Sequence, residues 1–203
     1  MKAEARNTRF NGFVGSPGSG KSTYVGNAVK AYQRNAIVWK HIINKDDKAF
    51  SFLPEKTMQN WRQGAQPGAP VKCVIAGTNE SYIEFLEWVK ANYRNGVLVI
   101  DDATIFEDGK LSKQMCHLVA MRRHYGLDIW VVYHGFTAFP IDQYKFLNYL
   151  VIFNTNDETG YKKNKIPMYA EIQAAINRSK HNFKSYREND KNRYKPNVVT
   201  LST

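Results

Sequence analysis

Nine consecutive residues, Gly15, Ser16, Pro17, Gly18, Ser19, Gly20, Lys21, Ser22 and Thr23, fit G-x-x-x-x-G-K-[ST], the spacing of a phosphate-binding loop. The residue types explain the chemistry. Glycines at 15, 18 and 20 let the backbone curl with its N–H groups inward and no Cβ in the way. A helix that opens at the end of the loop adds partial positive charge at the same point. Lys21 is then placed to reach the β- and γ-phosphates of a nucleotide, and the Ser22 hydroxyl to ligate Mg2+. ATP and Mg2+ are the expected ligands.

Two further groups carry chemistry. Val97, Leu98, Val99 and Ile100 run into Asp101 and Asp102. Behind a phosphate-binding loop, this apolar strand ending in acids is a Walker B pattern. Asp101 would orient Mg2+ through its hydration shell, and Asp102 would position or deprotonate the attacking water. Read alone, the pair is also an ordinary strand-to-turn aspartate pair. The second group is Arg122, Arg123 and His124, followed by Gly126, a buried-type strand and then His134. If that strand lies between the loop strand and the Asp101 strand, His134 sits beside the γ-phosphate, where imidazole can donate a hydrogen bond. Arg122 or Arg123 could serve as an arginine finger, from the same or a neighbouring subunit. Cations capping a helix C-terminus are the structural alternative.

These residues need a scaffold, and the pattern supplies one. Phe10–Val14 reads as a strand, and Val25, Ala28, Val29 and Tyr32 give the following helix an apolar face. Strands are expected at about 36–43, 71–76, 97–102, 127–133 and 150–153. Helices are expected at 78–95, 111–125, 140–149 and from 168 to 178, with a short one at 57–63. Ser81 and Glu84 have capping-box spacing at the start of the 78–95 helix. Residues 64–70 read as a turn or loop, and the stretch after His181 is polar with little periodicity. Alternating strands and helices predict an α/β fold, and with the glycine loop it resembles a P-loop NTPase of RecA/ASCE-like type. Its mostly parallel central sheet would carry helices on both faces. One domain over 1–203 is expected, with a core at about 9–155 and a basic extension from about 156.

The chain has 203 residues and a formal net charge of +11, which favours a polyanionic partner, with DNA the leading candidate. Residues 161–203 hold ten Lys and Arg against three acids, so more than half of the excess lies at the end of the chain. Lys162, Lys163 and Lys165 beside Tyr161, with Lys110 and Lys113 after the aspartates, are the candidate phosphate contacts; solvated surface lysine is the alternative for each. Cys73 and Cys116 fit a reducing compartment without a disulfide framework. No apolar run approaches membrane-spanning length, and residues 1–9 lack a signal-peptide core, which predicts a soluble intracellular chain.

The glycine loop, the apolar-Asp-Asp strand and the Arg-His-x-Gly-x-x-Ile segment before a strand with a polar end resemble the FtsK/HerA superfamily of DNA-pumping ATPases. Within it the chain is most similar to viral genome-packaging ATPases, and the Zot-like phage assembly proteins share much of the pattern. The resemblance covers roughly residues 9–155. It implies a homo-oligomeric ring, commonly a hexamer, that hydrolyses ATP between subunits and drives DNA through a pore. It also implies a place in the host cytoplasm or on the virion, with a capsid or membrane vertex complex as a further partner. Two positions depart from the family pattern. Asp102 stands where many members have Glu, and His134 where many have Gln. The shorter acid needs a different water geometry, and histidine adds a pH dependence. A Zot-like assembly ATPase and a small P-loop nucleotide kinase are the alternative functions. A non-enzymatic nucleotide switch is a further one, against which the paired acids and Arg-Arg-His argue.

Overall fold

A computed structural model describes residues 7–44, 48–107, 109–157, 164–189 and 196–201. Its centre is a seven-stranded sheet of β1 (Phe10–Val14), β2 (Asn35–His41), β3 (Lys72–Gly77), β4 (Gly96–Ile100), β5 (Leu127–Tyr133), β6 (Tyr149–Ile152) and β7 (Asn197–Thr200). The strand order is β3-β2-β4-β5-β1-β6-β7. Every pairing is parallel except β6 with β7, which is antiparallel. The helices are α1 (Lys21–Ala31), α2 (Asn79–Asn92), α3 (Lys113–Tyr125) and α4 (Tyr169–Asn189).

Residues alternate between the two faces, as the pleat requires. Leu98 and Ile100 of β4 join one core, with Tyr82, Phe85 and Leu86 of α2, Met115 and Leu118 of α3, and Ile172 and Ile176 of α4. Val97 and Val99 join the other, with Val25 and Val29 of α1 and Phe50. The β4 strand is buried at all five residues, which a parallel strand covered on both faces must be. Burying both faces of the sheet is what holds the C-terminal strand ends in one rigid row.

Gly26 shows how closely α1 is pinned. A Cβ there would lie 2.3 Å from the Ala49 carbonyl oxygen. Alanine gains roughly 1 kcal/mol over glycine inside a helix, but overpacking against backbone costs about 1–3 kcal/mol. Gly26→Ala should therefore lower the urea midpoint at unchanged slope; an unchanged or raised midpoint would mean that the 48–50 turn moves freely.

Four expectations are corrected. Residues 57–63 form successive turns, not a helix. The capping box of α2 is Thr78 with Ser81, not Ser81 with Glu84: Thr78 is the N-cap, and Ser81 Oγ accepts from Thr78 N at 2.9 Å. Residues 141–146 form a 3-10 helix inside the helix expected at 140–149. The helix expected from 168 to 178 is α4, which continues to Asn189, and β7 adds a strand after it.

Candidate nucleotide site

The glycine loop joins the C-terminal end of β1 to the N-terminus of α1. Gly18 and Gly20 have φ of 74° and 88°, the left-handed region that costs other residues strain. Gly15 serves differently: a Cβ there would lie 2.6 Å from the Phe153 Cβ, so its role is close approach to the segment after β6. Gly20 is the N-cap of α1 and offers no side chain to the first-turn N–H groups. Those donors face the loop, as an anion site requires. Ser19 Oγ is buried inside the loop and has no hydrogen-bond partner in the structure.

Lys21 is 4% exposed, and its ammonium donates to the Ser16 carbonyl oxygen at 2.9 Å, folded over the loop it serves. Burial lowers its pKa from 10.5 to about 8, against the opposing pull of Asp101 and then Asp102. Ser22 Oγ donates to Asp101 Oδ1 at 3.1 Å. Asp101 follows β4 directly, is buried, and its N–H donates to Trp39 O at 3.0 Å. A hydroxyl and a carboxylate side by side at the mouth of the loop are oxygen donors of the kind a hard cation takes, with waters and phosphate completing its shell. The residues fit Mg2+.

Asp102 takes φ of 53°, left-handed for a residue with a side chain. The turn is locked on its far side, where Ala103 N donates to Val132 O at 2.7 Å. The Asp102 carboxylate thereby meets His134, Nε2 to Oδ1 at 2.9 Å. Because β5 lies between β4 and β1, its last residues end beside both acids and the loop. His134 N donates to Thr104 Oγ1 at 3.0 Å, which ties the strand end to the turn after the acids. The imidazole is thus turned on Asp102, a pairing the motif spacing did not specify.

The arginines are elsewhere. Arg122 and Arg123 close α3, immediately before β5 begins, whereas the glycine loop lies at the opposite end of β5. The seven residues of β5 span about 23 Å at the usual rise per residue. Arg122 is half-buried and donates to Val119 O at 2.8 Å; burial and then the Arg123 charge lower its pKa, with Asp128 opposing. Arg123 is exposed. Neither is brought to the loop of its own chain. Arg9, Arg34 and Arg94 also precede strands on that edge.

Lys110, Lys113 and Lys165 are exposed. Lys162 and Lys163 lie outside the described residues. Among the described residues no group of three or more His, Cys, Asp or Glu side chains could hold a metal by itself, and no helix is long and apolar enough to cross a membrane.

Three residues that shape the site escaped the motif reading. Glu107 is 1% exposed, accepting from Tyr82 Oη at 2.8 Å and Ser112 Oγ at 2.7 Å, and it holds the turn after Asp102 against α2 and α3. Burial raises its pKa, against the pull of these hydrogen bonds. Thr104 carries the strand-end bond described above. Asp157 accepts from Phe136 N and fills the space that a side chain at Gly135 would take. Each is a lone polar residue in a loop, with no spacing to mark it.

No protein-family model and no curated protein matches the sequence. Solved structures do. The genome packaging NTPase B204 of Sulfolobus turreted icosahedral virus 2, in complex with AMP, superposes with a TM-score of 0.66 at 19% identity, covering 84% of this chain and 88% of that one. Its complex with ATP-gammaS gives 0.64 at 18% identity over 86% and 88%. B204 of Sulfolobus turreted icosahedral virus, a DNA-packaging ATPase, gives 0.65 at 16% identity over 84% and 88%. At these identities the likeness is one of fold. The chain shares the P-loop ATPase fold of the viral genome-packaging NTPase B204.

Proposed function

We propose that this chain is an ATP-driven motor that moves DNA, of the viral genome-packaging kind. The observation that carries the reading is the division of the sheet's two edges. Lys21, the Ser22–Asp101 pair and the Asp102–His134 pair converge at one edge, while Arg123 lies exposed at the other. A site to which neither Arg122 nor Arg123 of its own chain is brought, with Arg123 presented on the opposite edge, fits a closed ring in which each subunit completes its neighbour's site. The fold shared with B204 and the +11 charge support the same reading.

The chemistry follows from the residues. The loop N–H groups bind the phosphates, and Lys21 leaves Ser16 O to donate to the β- and γ-phosphates. Ser22 and Asp101 would hold Mg2+, which supplies charge to the phosphate oxygens. Asp102 accepts the proton of the attacking water, and His134, whose Nε2 lies 2.9 Å from Asp102 Oδ1, holds the carboxylate toward it. Arg123 of the partner subunit stabilises charge on the transferring phosphoryl group. Lys110 and Lys113 follow the acids closely and, with Lys165, offer cations to a DNA backbone.

A motor that grips the backbone must bind duplexes of any sequence, and its affinity must fall steeply with salt as counterions are released. Titration of labelled duplexes at several salt concentrations is expected to give a straight, steep fall of log K with log salt, equal for unrelated sequences. A flat response, or strong preference for one short sequence, would overturn the DNA reading.

A further inference from the structure

The nucleotide edge has a direction. Lys21, Asp101, Asp102 and His134 fix the γ-phosphate end of a bound nucleotide on the β4–β5 side of β1. The nucleoside must leave the loop on the other side, over the C-terminal end of β6. That side is built closely. Phe153 N donates to Val14 O at 2.8 Å, Ser16 N to Asn154 O at 2.8 Å, and Asn156 N to Ser16 Oγ at 3.2 Å. The segment after β6 is therefore bonded directly to the first half of the glycine loop.

Beside it stands Tyr24, one position beyond the loop on α1. It is 41% exposed. It packs against the buried Phe153 at 5.5 Å between ring centroids, near perpendicular at 75°, and lies 6.2 Å from Phe13. Its backbone N–H donates to Gly20 O at 2.9 Å, so the side chain starts from the same turn that caps the phosphate cradle. An aromatic ring packed against a buried neighbour and two-fifths exposed offers a base a surface to stack on. Stacking strength grows with the size of the base, so such a platform favours purines.

Resting on the reading of the loop as a nucleotide site, we propose that Tyr24, braced by Phe153, is the base platform of this protein and gives it a preference for purine nucleotides. The contact adds affinity and selectivity without touching the reacting phosphates.

Nucleoside diphosphates and pyrophosphate test this, because they bind the cradle and are not turned over by it. Calorimetric titration of the full chain should give tighter binding of ADP and GDP than of CDP and UDP. Tyr24→Ala should weaken ADP binding by roughly 5- to 100-fold and level the four nucleotides, with pyrophosphate unchanged; Tyr24→Phe should behave as the parent. Unchanged ADP affinity in Tyr24→Ala would overturn the proposal. So would an equal loss for pyrophosphate, which would make Tyr24 a support of the loop. If the parent chain binds neither ADP nor pyrophosphate, the nucleotide reading itself fails, and the platform with it.

Discussion

Lys21→Ala is expected to lose ATP hydrolysis by a factor on the order of 10²-fold or more while remaining folded. On the proposed reading Lys21 supplies charge to the phosphates, and it belongs to neither apolar core. Its burial is a cost to the folded protein, since desolvation brings its pKa down to about 8. Removing it should leave the urea midpoint at neutral pH unchanged or raised. The sign of the pH dependence follows from the same shift. Between about 8 and the unfolded value of 10.5 the unfolded chain holds the proton more tightly, so the nucleotide-free protein gains stability as pH rises through that window and loses it as pH falls through 8. Phosphate binding prefers the charged amine, so ATP affinity should fall as pH rises past 8. Circular dichroism with phosphate release decides the first part. Near-normal turnover in a folded Lys21→Ala protein would remove the loop from catalysis.

The second large effect concerns two residues at opposite ends of β5. Asp102→Asn keeps the size of the side chain and removes the proton acceptor; it should bind ATP and hydrolyse almost none. Arg123→Ala should also bind ATP and lose on the order of 10³-fold or more in rate, the worth of an arginine finger. Arg123 is chosen over Arg122 because it is exposed, whereas Arg122 is half-buried and bonded to Val119 O. A strand of seven residues separates Arg123 from its own loop, so on the proposed ring reading the two defects belong to different sites. Mixed in one ring, the mutants rebuild an intact site wherever a competent Asp102 meets a competent Arg123. Activity above the sum of the separate mutants is the expected result. A dead mixture with proven subunit exchange would make Arg123 a helix cap.

The meeting of the glycine loop with Asp101 was legible in the sequence because its residues are fixed by local order: a loop between a strand and a helix, and acids at the end of an apolar strand. The sheet was legible for the same reason, since buried parallel strands read as apolar runs. What escaped depends on contacts distant in sequence. The Asp102–His134 pair needs the left-handed turn at Asp102 and the insertion of β5 between β4 and β1. The extent of α4 was hidden by Ser179, which completes the spacing of Ile172, Ala175 and Ile176 with a polar group. Its Oγ is satisfied by Ile152 O at 2.9 Å and Asn197 Nδ2 at 2.8 Å, bonds that only the folded sheet provides. Those same bonds help seat β7, a strand of four residues that, among the described residues, pairs with β6. At Thr78 the capping box was displaced by three residues, because Ser81 can fill either of its positions.

The central claim is that hydrolysis belongs to a ring and is coupled to DNA. Phosphate release by the parent chain, followed across a size-exclusion profile with particle mass read on each fraction, tests it most directly. Each fraction is assayed with and without duplex DNA. Hydrolysis confined to ring-sized particles and raised by DNA is the predicted result. Equal hydrolysis by the monomer, indifferent to DNA, would contradict it.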